Sequence, residues 1–256
     1  MADLAAPRAD GRIFFWVSEA LIFFGLGLVA YLCGLLARHR NVRVSYTWKV
    51  NFFALFLVPT LLTYLIPYEA SLVTKTLRTV SFILFLGIFP RPVRERIVFV
   101  ATMFLSYDRP EDRPFTLLWL TTQIVGGYLV VVPMSMYFAK YGLSELMSIP
   151  ILIHGLGDGF AAPVGVRFGK HKYTTWALFS RRKYTRSLEG SACVLVAGVL
   201  VVAAFYASFT PIQFAAAMLT IPLLMTFAEA VSPHTWDTPL MFLVGGLSLL
   251  VIKSFA

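Results

Sequence analysis

The sequence is short of charged residues, which make up 14% of its 256 positions, whereas 58% are hydrophobic. Soluble globular domains carry about 25% charged residues, so this composition excludes an ordinary soluble domain. Cysteine is scarce as well, and Cys33 and Cys193 both lie inside apolar runs. Their positions provide neither a disulfide framework nor a zinc-ligand spacing. A P-loop of the form G-x-x-x-x-G-K-[ST] is also missing from the sequence.

Long apolar runs fill most of the chain and predict helices that cross a membrane. A helix of about 20 apolar residues spans a bilayer, whereas an open sheet leaves backbone groups unsatisfied in lipid. We therefore predict an all-α polytopic integral membrane protein, a single membrane domain over residues 1–256 with about eight transmembrane helices. A weaker apolar run at 97–107 predicts an interfacial helix or a shallow re-entrant segment. The predicted spans cover residues 13–36, 50–66, a third segment ending near 89, 115–138, 146–164, 188–205, 212–231 and 238–252.

The net charge is +9, and the basic residues are concentrated in the loops that follow alternate predicted spans. The opposite loops, 141–145 and 207–211, carry almost none of them. By the positive-inside rule, the basic side is cytoplasmic, and it includes the basic loop at 167–186. In a membrane protein such charge favours contact with the anionic bilayer surface rather than with nucleic acid.

Asp158 is a carboxylate deep inside a predicted span, surrounded by Gly155, Gly157, Gly159 and Pro163. An ionised group at membrane depth is costly and usually functional, and irregular backbone there faces protein or a wet cavity. Such a carboxylate suits Mg²⁺, which prefers oxygen ligands and shares them with phosphates. The alternative is a structural partner for a cation elsewhere in the chain.

The basic loop combines cations with Gly165 and Gly169 and ends at the start of a predicted helix. This arrangement suits a polyphosphate, although the positive-inside signal alone explains part of it. Ser187 is a predicted N-cap, and a helix N-terminus favours anions. Glu189 follows it, and its charge is compatible with a bound phosphate if a metal bridges the two. The predicted phosphate ligands are Arg167, Lys170, Lys172, Lys183, Arg186 and Ser187.

Two further carboxylates, Glu229 and Asp237, lie at the same predicted membrane face as the basic loop. Asp237 has a simpler interpretation as an N-cap residue ahead of Pro239. His154 lies four residues before Asp158 and is either a packed core histidine or a group that orients that carboxylate. A mixed-charge tract on the same face forms either mutual salt bridges or part of the site; it consists of Arg109, Glu111, Asp112 and Arg113.

Three segments in this order, GDGFAAPVGVRFGKHKY at 157–173, RSLEGS at 186–191 and AEAVSPHTWDTPL at 228–240, resemble the polyprenol kinase family. That family includes dolichol kinase, phytol kinase and the CTP-dependent diacylglycerol kinase of yeast. The similarity covers roughly residues 149–240. Its first segment is shared more loosely with CTP:phosphatidate cytidylyltransferases, whereas the third favours the kinases.

The resemblance implies transfer of a phosphoryl group from CTP, with Mg²⁺, to the hydroxyl of a membrane lipid alcohol. It implies catalytic or metal-binding roles for Asp158 and Glu189, with Glu229 and Asp237 completing the metal site. Residues 146–252 would form the half that binds CTP and Mg²⁺, and 13–140 the side that accepts the lipid. The sequence departs from the family pattern at Arg186, where lysine is usual, at Thr238 in place of asparagine and at Asn51 in place of histidine.

Two other functions stay open at this point. One is cytidylyl transfer to phosphatidate, which yields a CDP-lipid and pyrophosphate. The other is a non-enzymatic transporter with a broken helix near Asp158, although the inverted repeat typical of many transporters is not evident in the sequence. Phytol, geranylgeraniol, farnesol, a longer polyprenol and diacylglycerol all fit the predicted acceptor, and the oligomeric state does not follow from the sequence.

Overall fold

The computed structural model describes residues 11–68, 71–178 and 180–254. Within these ranges, six helices are long and apolar enough to cross a membrane, which agrees with the predicted helical multi-pass protein. Two shorter apolar helices, Thr76–Leu86 and Leu188–Ala204, lie where two further spans are predicted, and the number of eight crossings stays a prediction. The six long helices are Ile13–His39, Val44–Leu65, Thr116–Lys140, Ser144–Phe168, Pro211–Val231 and Asp237–Ser254.

The chain forms two compact units, and the first is Met1–Leu117. Its helices are α1 (Gly11–His39), α2 (Val44–Leu65), α3 (Leu72–Leu86), α4 (Arg91–Arg96) and α5 (Val98–Leu105). Helix α1 packs against α2, α3 and α5. A Cβ atom at Gly34 of α1 would lie 1.8 Å from the carbonyl oxygen of Thr102, so only glycine allows α5 to approach this closely.

Ion pairs within the first unit neutralise several of its charged side chains. Arg78 of α3 donates to Glu19 of α1 over 2.6 Å, and Glu19 is 2% exposed. In the mixed-charge tract, Arg109 pairs with Asp112 at 2.6 Å. Arg113 of the same tract pairs with Asp108 at 2.8 Å. Salt bridges therefore involve Arg109, Asp112 and Arg113 of this tract, in agreement with the first of its two interpretations.

The second unit, Leu118–Ala256, contains most of α6 (Thr116–Lys140) and the remaining elements. A membrane-length segment is formed by α7 (Ser148–Ile153), a π-helical turn (His154–Asp158) and α8 (Gly159–Phe168). Helices α9 (Leu188–Ala204), α10 (Pro211–Val231) and α11 (Asp237–Ser254) follow. Fully buried apolar side chains join these helices, among them Ile153, Val194, Ile221, Met225, Met241 and Leu249.

The π-helical turn between α7 and α8 packs closely against α9. A Cβ atom at Gly157 would lie 2.7 Å from the Cα atom of Val194 in α9. Such turns are rare and recur at functional sites, and this one ends at Asp158. The irregular backbone expected from the glycines around Asp158 is therefore present.

Residues 167–186, predicted as a loop in an all-α protein, instead include a β-hairpin. Strand β1 (Lys172–Ala177) pairs antiparallel with β2 (Ser180–Ser187), with Tyr173 opposite Arg186 and Thr175 opposite Tyr184. Adjacent threonines and aromatic residues favour extended backbone, which explains the strands. Within the described residues the fold is therefore helical with one two-stranded sheet.

Candidate functional site

The hairpin has a buried face and an exposed face, because side chains alternate along each strand. Thr175 and Tyr184 are buried and face inward, and Thr175 Oγ1 donates to the carbonyl oxygen of Ser232 over 2.8 Å. The ring of Tyr184 stacks on that of His234, with 3.7 Å between their centroids. The hairpin therefore covers the ends of the helices around the turn between α10 and α11.

Arg186 lies on this inward face and bonds to two carboxylates. Its Nη1 atom donates to Glu229 Oε1 over 2.7 Å and also to the Glu229 carbonyl oxygen, and its Nη2 atom donates to Asp237 Oδ2 over 3.5 Å. The charge of Asp158 also acts on the guanidinium. Burial lowers the pKa of Arg186, but the three carboxylates, Asp237 first, outweigh burial and raise it. Arg186 thus stays charged at the centre of the group.

A hydrogen-bonded pair of hydroxyls approaches Glu229 from the other side. Ser191 Oγ donates to Glu229 Oε2 over 2.7 Å, and the Tyr173 hydroxyl lies 2.8 Å from Ser191 Oγ. Since the Ser191 proton is used on Glu229, Tyr173 donates to Ser191. Burial first, and the charge of Glu229 second, raise the pKa of Tyr173. Both hydroxyls were missed from the sequence, because only the strand register brings Tyr173 beside Arg186.

A buried polar network fixes the start of α11, where Asp237 lies. Thr238 Oγ1 lies 3.0 Å from His154 Nε2 and accepts from Gln123 Nε2 over 2.7 Å. The backbone N–H of Thr238 donates to Asp237 Oδ1 over 3.0 Å. His154 is 0% exposed, so it is a packed histidine, and its Nε2 atom bonds to Thr238, the neighbour of Asp237.

Glu189 is turned away from the group around Arg186. Its Oε1 atom lies 2.8 Å from Nδ1 of His171, and it also accepts from the His171 backbone N–H. Ser191, two residues later in α9, points toward Glu229. Two residues rotate a helix by about 200°, so Glu189 and Ser191 lie on nearly opposite sides of α9. The structure brings together Asp158, Glu229 and Asp237, but not Glu189.

The glycines of the basic segment allow α8 and α9 to approach each other. A Cβ atom at Gly169 would lie 2.3 Å from the Gly165 carbonyl oxygen and 2.9 Å from Ser187 Oγ, which leaves room only for glycine. Ser187 Oγ accepts from the Gly190 backbone N–H over 3.1 Å, which confirms Ser187 as the N-cap of α9. The close packing of the two helix ends accounts for both glycines without a phosphate.

The six predicted phosphate ligands fall into separate places. Lys172 and Lys183 are exposed on the outward face of the hairpin, opposite to the face that carries Arg186. Arg167, at the end of α8, and Lys170, just after it, are also exposed. Of these six described residues, Arg186 is the one that bonds to the carboxylates, and strand alternation separates it from Lys172 and Lys183.

Magnesium was expected at these carboxylates, and their oxygen atoms are the ligand type that this ion prefers. Among the residues that the structure describes, no group of three or more His, Cys, Asp or Glu side chains converges closely enough to hold a metal ion. Magnesium is often held by one or two carboxylates together with substrate phosphates. Asp158, Glu229 and Asp237 fit that partial role, and they do not form a complete protein cage.

Comparisons of the chain with protein families, with curated proteins and with solved structures found no match.

Proposed function

We propose that this protein is a CTP-dependent kinase that phosphorylates the hydroxyl of a membrane lipid alcohol of the phytol, prenol or polyprenol type. The observation that supports this proposal most directly is the buried group of Asp158, Glu229 and Asp237 around Arg186. It lies where a π-helical turn, two helix ends and a hairpin meet within an apolar helical unit. Carboxylates and a guanidinium are the groups that phosphoryl transfer requires, because the protein supplies mainly positioning and charge stabilisation.

The resemblance to polyprenol kinases supports CTP as the phosphoryl donor. In this proposal Arg186 binds the nucleotide phosphates, assisted by Lys170 and Arg167 near the end of α8. When bound, Mg²⁺ would be held by Asp158, Glu229 or Asp237 together with the phosphates, and it would neutralise phosphate charge. Glu189 keeps its proposed metal or catalytic role only if its pairing with His171 is released on binding.

The proposed reaction is an in-line displacement at the γ-phosphorus. Asp158 accepts the proton of the lipid hydroxyl as its oxygen forms a bond to that phosphorus. The bond between the γ-phosphorus and the oxygen bridging it to the β-phosphate breaks, and CDP leaves. Arg186 orients the transferred group, and the surrounding helices exclude water, which would otherwise compete with the alcohol.

The bilayer is the proposed source of the acceptor, which would reach the site between apolar helices. The hairpin and the basic segment are proposed to face the cytoplasm, where CTP is present. This orientation follows from the distribution of Lys and Arg among the loops.

A radiolabel transfer assay tests the proposal on purified protein in detergent with Mg²⁺. CTP labelled at the γ- or the α-phosphate is offered with a panel of prenols, diacylglycerol and phosphatidate. Label in lipid from the γ position alone supports the kinase and identifies its acceptor. Label from the α position would instead establish a cytidylyltransferase, and no transfer from either position would refute both enzymes and favour the transporter.

An Asp158→Asn variant tests the residue assignment in the same assay. Loss of the general base is expected to lower the rate by about 10²–10⁴-fold. Glu145→Gln is the matched control, because it also neutralises one carboxylate of the second unit. Glu145 is exposed and accepts a hydrogen bond from Ser208. Full activity in Asp158→Asn would show that the base is a different group.

A further inference from the structure

Arg186 lies between two carboxylates, Glu229 and Asp237. Its two terminal nitrogens bond to Glu229 and to Asp237, which belong to different helices. The side chain of Arg186 is 13% exposed, and those of Glu229 and Asp237 are 5% and 11% exposed. The guanidinium therefore acts as a largely buried counter-ion that holds the end of α10 to the start of α11.

Removing one partner from such a pair is costly, because the other charge stays buried without compensation. A divalent cation that binds Glu229 and Asp237 by itself must displace Arg186 from both. A nucleotide that draws Arg186 to its phosphates by itself must leave both carboxylates without their guanidinium. Each ligand alone therefore meets a penalty that the other ligand removes.

We propose that Arg186 is an exchangeable internal counter-ion that couples metal binding to nucleotide binding. It neutralises Glu229 and Asp237 in the ligand-free protein. When a divalent cation takes over these carboxylates, the guanidinium passes to the nucleotide phosphates. The inference rests on the proposed function, and it adds that metal and nucleotide enter as a pair. It also explains why a site rich in carboxylates contains no preformed metal cage among the described residues.

The first test measures binding of Mn²⁺, a paramagnetic substitute for Mg²⁺, to the full-length protein without nucleotide, by electron paramagnetic resonance. Arg186→Gln is expected to bind Mn²⁺ about 10-fold more tightly than the wild type, within the usual range of coupling between sites. Arg181→Gln is the control, because it removes an equal charge from an exposed position of the same strand. Equal Mn²⁺ affinity in Arg186→Gln and Arg181→Gln would overturn the exchange.

The second test uses Glu229→Gln, which weakens the hold on Arg186 while keeping the guanidinium in place. Binding of CTP in the presence of EDTA is measured by calorimetry, and this variant is expected to bind metal-free CTP about 10-fold more tightly than the wild type. It keeps the proposal testable even if Arg186→Gln does not fold. Weaker or unchanged metal-free binding would overturn the exchange.

The outcomes also separate this inference from the proposed function. If CTP with Mg²⁺ binds the wild type but neither variant shifts the separate affinities, the exchange is wrong and the kinase proposal stands. If CTP binds none of these proteins, with or without metal, both proposals are refuted together.

Discussion

Gly157→Ala is the substitution whose effect follows most directly from the structure. The added Cβ atom would lie 2.7 Å from the Cα atom of Val194, and 3.2 and 3.3 Å from that residue's Cγ2 and Cβ atoms. Side-chain rotation cannot relieve a contact with a backbone atom, so the π-helical turn and α9 must separate. Overpacking of this kind costs about 1–3 kcal/mol.

A second effect has the opposite sign, because alanine favours a helix over glycine by about 1 kcal/mol. The net loss of stability is then at most about 2 kcal/mol after this offset. At roughly 2–4 °C per kcal/mol for a chain of this size, the midpoint of thermal unfolding falls by up to about 8 °C. Activity falls as well, because Asp158 follows Gly157 directly and moves with it.

The assay is thermal unfolding in detergent followed by intrinsic fluorescence, with transfer activity measured on the same samples. Gly27→Ala is the control, because it is also a glycine-to-alanine change in a helix, and its Cβ atom would meet only Met103 Cε at 3.6 Å. That variant keeps the gain in helix propensity without the clash and unfolds at or above the wild-type temperature. If Gly157→Ala unfolds no lower than Gly27→Ala, the close approach to α9 is not as described.

Three further predictions concern contacts in each unit. Ser191→Ala removes a hydrogen bond to the Glu229 carboxylate that is worth about 1.5–3 kcal/mol, so we expect turnover to fall roughly 10- to 100-fold. Ser191→Thr keeps the hydroxyl and should keep most of the turnover. Wild-type turnover in the alanine variant would count against the network. Glu19→Leu or Arg78→Leu alone lowers stability by about 3–5 kcal/mol, whereas the double substitution, measured by thermal unfolding, costs less than either. Because the pKa of Tyr173 is raised, its contribution to stability is present below the ordinary tyrosine pKa of about 10 and is lost as the pH rises further. The unfolding temperature of Tyr173→Phe should therefore decrease less between about pH 9 and 11 than that of the wild type.

Much of the helical fold follows from the sequence, because apolar runs of membrane length leave few alternatives. The runs at 13–36, 115–138 and 212–231 became α1, α6 and α10 with boundaries shifted by only a few residues. The hairpin was missed because its strands are dominated by cations, which suggested a loop. The signal for the hairpin in the sequence is its adjacent threonines and aromatic residues, which favour strands.

The candidate site followed from the sequence only in part. Asp158 stood out as a carboxylate within an apolar segment, and Glu229 and Asp237 as carboxylates at the membrane face of the basic loop; Arg186 bonds to the latter two and is influenced by the charge of Asp158. Glu189 stood out at the start of a predicted helix and through the resemblance to polyprenol kinases, but it lies on another side of α9, beside His171. The sequence is sufficient to predict that Glu189 and Ser191 lie on nearly opposite sides of a helix. It does not show which of these sides faces α10.

The role of Arg186 illustrates why a count of basic residues does not define a phosphate site. Lys183 and Arg186 are three positions apart on one strand, so alternation places them on opposite faces, and only Arg186 meets the carboxylates. Which of the two faces is buried depends on the pairing of β1 with β2 and on the turn after α10, and both are long-range features. Charge reinforces the distinction: an exposed lysine is solvated and contributes little, whereas a guanidinium bonded to two buried carboxylates is held firmly. Under the exchange that we propose, the cation that makes the ligand-free site stable also determines how the site opens to metal and nucleotide.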